Sequence, residues 1–178
     1  MNNLLNYFTE EELKKIVQIN DLYLKAEIII TRLFKDKYDK EGKPYIGHLY
    51  RVSGKLDEEI EKVAGLLHDT IEDTEITSKD LLQVGFPIEV IEIIKLVTKE
   101  KTNKKLTSEE KLVLYDNEIN NIINSGNIHA IRLKEADMSD NSDEERLSKL
   151  SEEQQAWFHK KYDKQLIKLR NVKGMIKW

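Results

Sequence analysis

Seven glycines and two prolines in 178 residues leave this chain few places to turn tightly. Their combined share is less than half of the roughly 12% found in average proteins. No stretch alternates apolar and polar residues as a half-buried strand would. Apolar residues recur instead every three to four positions, as on one face of a helix. Leu22, Ala26, Ile29, Ile30 and Leu33 are such a series, and so are Trp157, Phe158, Tyr162, Leu166 and Leu169. The expectation is an all-α chain, long enough to bury a core without disulfides or structural metal. No internal repeat, low-complexity stretch or linker divides it, so residues 1–178 read as a single domain.

Capping residues set the helix boundaries. Thr9 with Glu12 makes a capping box opening a helix to about Ile19, and Asn20-Asp21 caps the next. Lys35 to Pro44 is a charged loop. A helix around His48, Val52 and Leu56 follows, and Asp57 caps one expected to run from Glu58 to about Glu72. Thr77 to Val84 is a short helix stopped by Gly85, and Pro87 suits the first turn of another, to about Lys99. The run KEKTNKK, Lys99 to Lys105, reads as an exposed loop. Ser108 to about Asn124, Ile128 to Met138 and Glu152 to Lys173 are the remaining helices, with a polar stretch, Ser139 to Lys149, lining a surface or a site.

Composition removes several functions. Twenty-nine basic against 33 acidic residues give a net charge of −4 and a pI near 5.7, which disfavours coating a nucleic-acid polymer. Without cysteine there is no disulfide, thiol nucleophile, iron–sulfur cluster or Cys-zinc site. The most apolar stretch, Ile88 to Val97, is interrupted by Glu89, Glu92 and Lys95, whereas spanning a membrane takes about 20 apolar residues. The N-terminus lacks the basic start and cleavage site of a signal peptide. The expected compartment is the cytoplasm.

The chemistry concentrates in AGLLHDTIEDTE, Ala64 to Glu75. On a continuous helix, with His68 at 0°, Glu72 falls at about 40°, Asp69 at about 100° and Asp73 at about 140°. Ile60, Val63, Ala64, Leu67 and Ile71 take the opposite, core-facing side. Acids crowded near a helix C-terminus repel one another and oppose the helix dipole. A solvated acidic helix end explains the acids alone; the adjacent His-Asp pair favours a divalent cation. Gly65, inside the polar arc, either leaves room for a ligand or marks a close helix contact. Two further donors complete a set: His48, 20 residues upstream, and Asp137, 68 residues beyond Asp69. Two imidazoles and two carboxylates suit manganese or iron, with zinc and cobalt as alternatives. So few protein ligands leave coordination positions open to water and substrate.

In this order, His48, His68-Asp69 and Asp137, the residues resemble the signature of the HD-domain metallophosphohydrolases. The similarity is closer still to the hydrolase domain of RelA/SpoT proteins and their small stand-alone relatives. Three blocks carry it: KEGKPYIGHLYRV (Lys40–Val52), AGLLHDTIEDT (Ala64–Thr74) and RLKEADMSDNSDEERL (Arg132–Leu147). GFPIEVIEIIKLVTK (Gly85–Lys99) is similar to the family's following helix. The motif-bearing core covers about residues 26–162.

The resemblance implies an all-α HD-domain bundle hydrolysing a nucleotide. His48, His68, Asp69 and Asp137 would hold one divalent metal, Mn²⁺, with Glu72 and Asp73 as the catalytic acidic pair. Asn141 and Lys40 would bind substrate; Arg51, one turn after His48, is the best candidate among the surface cations for a phosphate contact. The family has an arginine that helps hold guanine where Asp39 stands, and a small hydroxyl residue in place of Glu144. No synthetase or regulatory domain accompanies the motifs.

The most direct expectation is a 3′-pyrophosphohydrolase of (p)ppGpp. The alternatives are a phosphohydrolase of another nucleotide, such as NADPH or a nucleoside phosphate, and a non-catalytic nucleotide-binding regulatory domain. The expected partner is a small nucleotide, not a nucleic-acid polymer or a membrane; self-association is left open. His129 and His159 read as ordinary helix residues, and the Trp157/Phe158/Tyr162 stripe as core or an oligomer contact.

Overall fold

The computed structural model describes residues 2–99 and 104–175. After a 3-10 turn at Asn3–Asn6 come α1 (Glu10–Val17), α2 (Leu22–Leu33), α3 (Ile46–Gly54), α4 (Glu59–Leu67), α5 (Thr70–Asp73) and α6 (Ser78–Gln83). They are followed by α7 (Ile88–Val97), α8 (Ser108–Asn124), α9 (Ile128–Asn141), α10 (Glu144–Leu147) and α11 (Glu152–Met175). Among the described residues there is no strand, only an isolated antiparallel bridge between Tyr38 and Pro44. The fold is all-α. Among the described residues no helix is long and apolar enough to cross a membrane. Residues 100–103 of the expected KEKTNKK loop lie outside the described residues.

The caps fall where the side chains allow them. Thr9 and Glu12 close their capping box, and so do Thr77 with Asp80 and Thr107 with Glu110. Each satisfies backbone N–H groups that a helix start leaves orphaned. Gly85 and Gly126, at φ 91° and 66°, supply the left-handed turns that end α6 and α8.

α4 is the central helix and packs against α2, α3, α7 and α9. Val63, Ala64, Leu66 and Leu67 are fully buried on it. Gly65 settles into the close-contact role: a Cβ there would lie 3.0 Å from the backbone of Ser53, so its bare backbone lets α3 and α4 approach. His48, on α3, and His68, just past the end of α4, are thereby brought together.

The helix expected from Glu58 to Glu72 is broken. α4 ends at Leu67, residues 68–69 form a turn, and α5 resumes at Thr70. Side chains compete for the carbonyls at the junction. The Thr70 hydroxyl donates to Leu67 C=O at 2.6 Å, and Nδ1 of His68 lies 2.8 Å from Gly65 C=O. Such local bonds offer the backbone an alternative to a continuous helix. Glu72 and Asp73 therefore sit on a separate short helix, not on the uninterrupted wheel that the spacing suggests.

Candidate metal centre

His48 from α3, His68 and Asp69 from the α4–α5 turn and Asp137 from α9 converge on one point. Nε2 of His48 is 3.4 Å from Asp137 Oδ1 and 3.8 Å from Asp69 Oδ2. Nε2 of His68 is 3.1 Å from Asp69 Oδ2 and 3.8 Å from Asp137 Oδ1. The donor atoms of His48, His68 and Asp69 lie within 4.8 Å of one another. Both histidines are almost wholly buried.

The imidazoles are oriented from behind. Gly65 C=O accepts from Nδ1 of His68, and Asp140 holds Nδ1 of His48 at 2.7 Å. An Nδ1 proton on each ring leaves the Nε2 lone pair facing the centre, the arrangement that metal-binding histidines use. Nε2 of His68 is buried and has no hydrogen-bond partner. An unsatisfied buried polar atom is costly, and a cation at the centre satisfies it. The donor set therefore fits a divalent metal.

Charge runs through the cluster. Burial would lower both imidazoles, but the facing carboxylates raise them above their ordinary range. Burial would raise Asp69 and Asp137, yet His68, Lys134 and His48 hold them well below it. The carboxylates thus favour protonated imidazoles when no metal is bound, and a metal entering the centre competes with those protons. The Tyr45 hydroxyl donates to Asp69, Asn141 donates to Asp137 Oδ1 at 2.6 Å, and buried Lys134 donates to Asp137 Oδ2 at 2.9 Å.

The acidic pair stands on lysines. Lys99 Nζ donates to Glu72 at 2.9 Å, and Lys37 pairs with Asp73 while lying 4.0 Å over the Tyr45 ring. These ammonium groups fix where the two carboxylates point.

Beside the quartet opens a cavity of about 350 Å³ whose walls include Lys40, Tyr45, His48, Asn141, Arg146 and Phe158. The Lys40 ammonium lies 4.2 Å over the Phe158 ring. Phe158 and Tyr162, expected as core or an oligomer contact, are buried and also wall this pocket. Arg51 turns to Asp140, with Nε at 2.7 Å from Oδ1. Asp39 also walls the pocket, and its Oδ1 accepts from the N–H groups of Glu41 and Lys43, both at 2.9 Å. Arg146 ties the loop to the metal side, reaching Glu41 at 2.9 Å, Asp39 at 3.4 Å and the Asp140 side chain.

Asp140 and Arg146 hold this junction together, and Asp140 was not among the expected site residues. Its only signal was its place one helical turn after Asp137. His129, expected to be an ordinary helix residue, pairs with buried Glu61 at 2.8 Å. Half-exposed His159 lies 3.4 Å from Asp163.

No family model matches the chain. A GTP pyrophosphokinase of Myxococcus xanthus is 37% identical over 98 residues, which is 51% of this chain and 13% of that protein. The guanosine-3′,5′-bis(diphosphate) 3′-pyrophosphohydrolase MESH1 of Homo sapiens is 39% identical over 74 residues, and that of Mus musculus 37% over 81. The matches cover 41% and 45% of those two proteins, so the chain spans less than half the length of the curated relatives it matches. A solved structure described as a metazoan ortholog of SpoT that hydrolyzes ppGpp superposes with a TM-score of 0.63. That match has 21% identity and covers 86% of this chain and 94% of the other. The chain is similar to RelA/SpoT-type hydrolases in motif and in fold. The fold rests on the superposition, and the sequence relatives carry the motif resemblance.

Proposed function

We propose that this chain is a metal-dependent phosphohydrolase that removes the 3′-pyrophosphate of (p)ppGpp. The observation that carries this reading is the buried quartet His48, His68, Asp69 and Asp137, with the unpartnered Nε2 of His68 aimed into it, opening onto a nucleoside-sized cavity. The names of the relatives supply the substrate class.

These four residues would hold one divalent ion, for which Mn²⁺ suits two nitrogen and two oxygen donors. Such an ion supplies Lewis-acid polarisation of a phosphoryl oxygen and a more acidic water. The chain's own groups do the rest. Glu72 and Asp73, on the short helix directly after Asp69, take the proton of the attacking water and return one to the departing 3′-oxygen. Lys37 and Lys99 keep both carboxylates in position. Asn141 steadies Asp137 and faces the pocket, where it and Lys40 bind the nucleotide. Arg51, 41% exposed, anchors Asp140 on one side and offers its remaining surface to a phosphate. Water adds to phosphorus as the bond to the ribose 3′-oxygen breaks, giving pyrophosphate and a 5′-phosphorylated nucleoside.

We read residues 1–178 as one domain, with a small nucleotide in the cytoplasm as its partner. The test is a panel of ppGpp, NADPH and nucleoside phosphates with Mn²⁺, scored for pyrophosphate and orthophosphate separately. The expected result is pyrophosphate from ppGpp, abolished by Asp137→Ala. Orthophosphate released preferentially from NADPH would replace this reading with a phosphatase. No turnover of any nucleotide by folded, metal-loaded protein would leave a binding domain.

A further inference from the structure

Lys161, on α11, holds its ammonium 4.4 Å from the centre of the Tyr115 ring and 4.8 Å from that of Tyr162. It donates one hydrogen bond, to the Tyr162 hydroxyl at 3.3 Å, and among the described residues it has no ion pair. The neighbouring cations differ. Lys134, whose ammonium lies 5.6 Å from the same Tyr115 ring, is paired with Asp137 at 2.9 Å, and Lys99 is paired with Glu72 at 2.9 Å.

Burial and the positive charges of Lys99 and Lys134 push Lys161 down to about 8. The acids facing Lys161 are Asp137 and Glu118. Asp137 is already engaged by Lys134, and burial pushes Glu118 up, with one oxygen buried and unpartnered. A desolvated ammonium without an ion pair of its own, set beside two other cations, carries a cost that an incoming anion offsets.

We infer that Lys99, Lys134 and Lys161 form an anion subsite that takes the second phosphate of a pyrophosphoryl group. Asp137 marks its position. One carboxylate oxygen faces the two imidazoles, at 3.4 and 3.8 Å, and the other accepts from Lys134. The metal-binding point and the ammonium cluster are therefore adjacent, as the two phosphates of pyrophosphate are. A phosphomonoester at the centre leaves the subsite empty, so the cluster selects pyrophosphoryl esters over monoesters. Ammonium groups on flexible stems suit a phosphate that must enter as part of substrate and leave as product.

This inference rests on the nucleotide-hydrolase reading but can be tested apart from it. Pyrophosphate and orthophosphate are titrated calorimetrically into Mn²⁺-loaded wild type, Lys161→Met and Lys161→Arg. Methionine keeps an apolar stem over the two tyrosines; arginine keeps the charge. Wild type should bind pyrophosphate at least about tenfold more tightly than orthophosphate, the order of one charge-assisted contact. Lys161→Met should lose about that factor for pyrophosphate alone, with metal content unchanged, and Lys161→Arg should retain most of it. Equal loss for both anions, or no loss, overturns the subsite. If Lys161→Met does not fold, Lys161→Gln replaces it under the same criteria. Lys161-dependent pyrophosphate binding in a protein that hydrolyses no nucleotide would sink the hydrolase reading and leave the subsite standing. Nucleotide hydrolysis with pyrophosphate binding indifferent to Lys161 would do the reverse.

Discussion

The two halves of the site are held by different means. On the metal side, two of the four donors are held locally: His68 by a carbonyl three residues before it, and Asp137 by Lys134 and Asn141 from its own helix, while Asp140 holds His48 and Tyr45 holds Asp69 from further along the chain. On the nucleotide side, the ties are distant: Arg146 reaches back 105 residues to Glu41 and 107 to Asp39. Local constraints show in sequence spacing, whereas distant ion pairs arise only when the chain folds. The metal side should thus tolerate little change, and the nucleotide side should respond in graded fashion.

The largest effect is expected at the centre. Asp69→Ala removes one of four donors and strands two buried imidazoles, so metal retention and hydrolysis should both be lost; elemental analysis showing full occupancy in this variant would contradict the quartet. Glu72→Gln is next. It keeps the shape and a partner for Lys99, so metal content should stay at the wild-type level while turnover falls about 10²–10⁴-fold, the range for acid–base help. An unchanged kcat would return Glu72 to a merely solvated helix end.

Asp140→Asn tests where the halves meet. Burial would raise this carboxyl, but His48 and Arg51 hold it well below its ordinary range, so it acts as an anion behind the His48 ring. Its neutralisation should weaken Mn²⁺ binding about 10–100-fold, as loss of a supporting partner does, measured by competition with a chelating dye. Were metal affinity unaffected, Asp140 would serve the Arg146 junction alone.

A pH series separates proton from metal. His48 and His68 are raised in the metal-free fold, so their stabilisation is complete below the unfolded value of about 6.5 and is lost as pH rises through the higher folded values. Mn²⁺ must expel these protons and should bind more tightly over the same interval. The Tm difference between metal-loaded and metal-free protein should therefore widen as pH rises from about 6 to about 8; a constant difference would show that the imidazoles are not protonated without metal. The smallest effect is expected at Asp39→Ala, which frees two backbone N–H groups of the pocket loop. About 1–2 kcal/mol of stability and a few-fold rise in KM are expected, with kcat kept; a kcat loss equal to that of Glu72→Gln would place Asp39 in the chemistry.

Much of the fold was legible because caps and apolar spacing are short-range: Thr9 opens α1 as its capping box with Glu12 implies. The break after Leu67 was not legible, since helical geometry alone runs through it and only Thr70 and His68 taking backbone carbonyls reveals it. The spacing of His48, His68, Asp69 and Asp137 pointed to residues that do converge. Asp39, which stands where the family has a guanine-holding arginine, accepts its own loop's N–H groups, a local bond that the comparison of residue types does not show. Phe158 and Tyr162 read as core because burial and pocket lining leave the same apolar pattern.

The most direct test is anomalous diffraction from a crystal grown with Mn²⁺. One strong peak is expected, with Nε2 of His48 and His68 and carboxylate oxygens of Asp69 and Asp137 all at about 2 Å, the usual length of such bonds. No peak there, or occupancy only at the Glu58, Glu61 and His129 cluster, would contradict the assignment of these four residues as the metal centre.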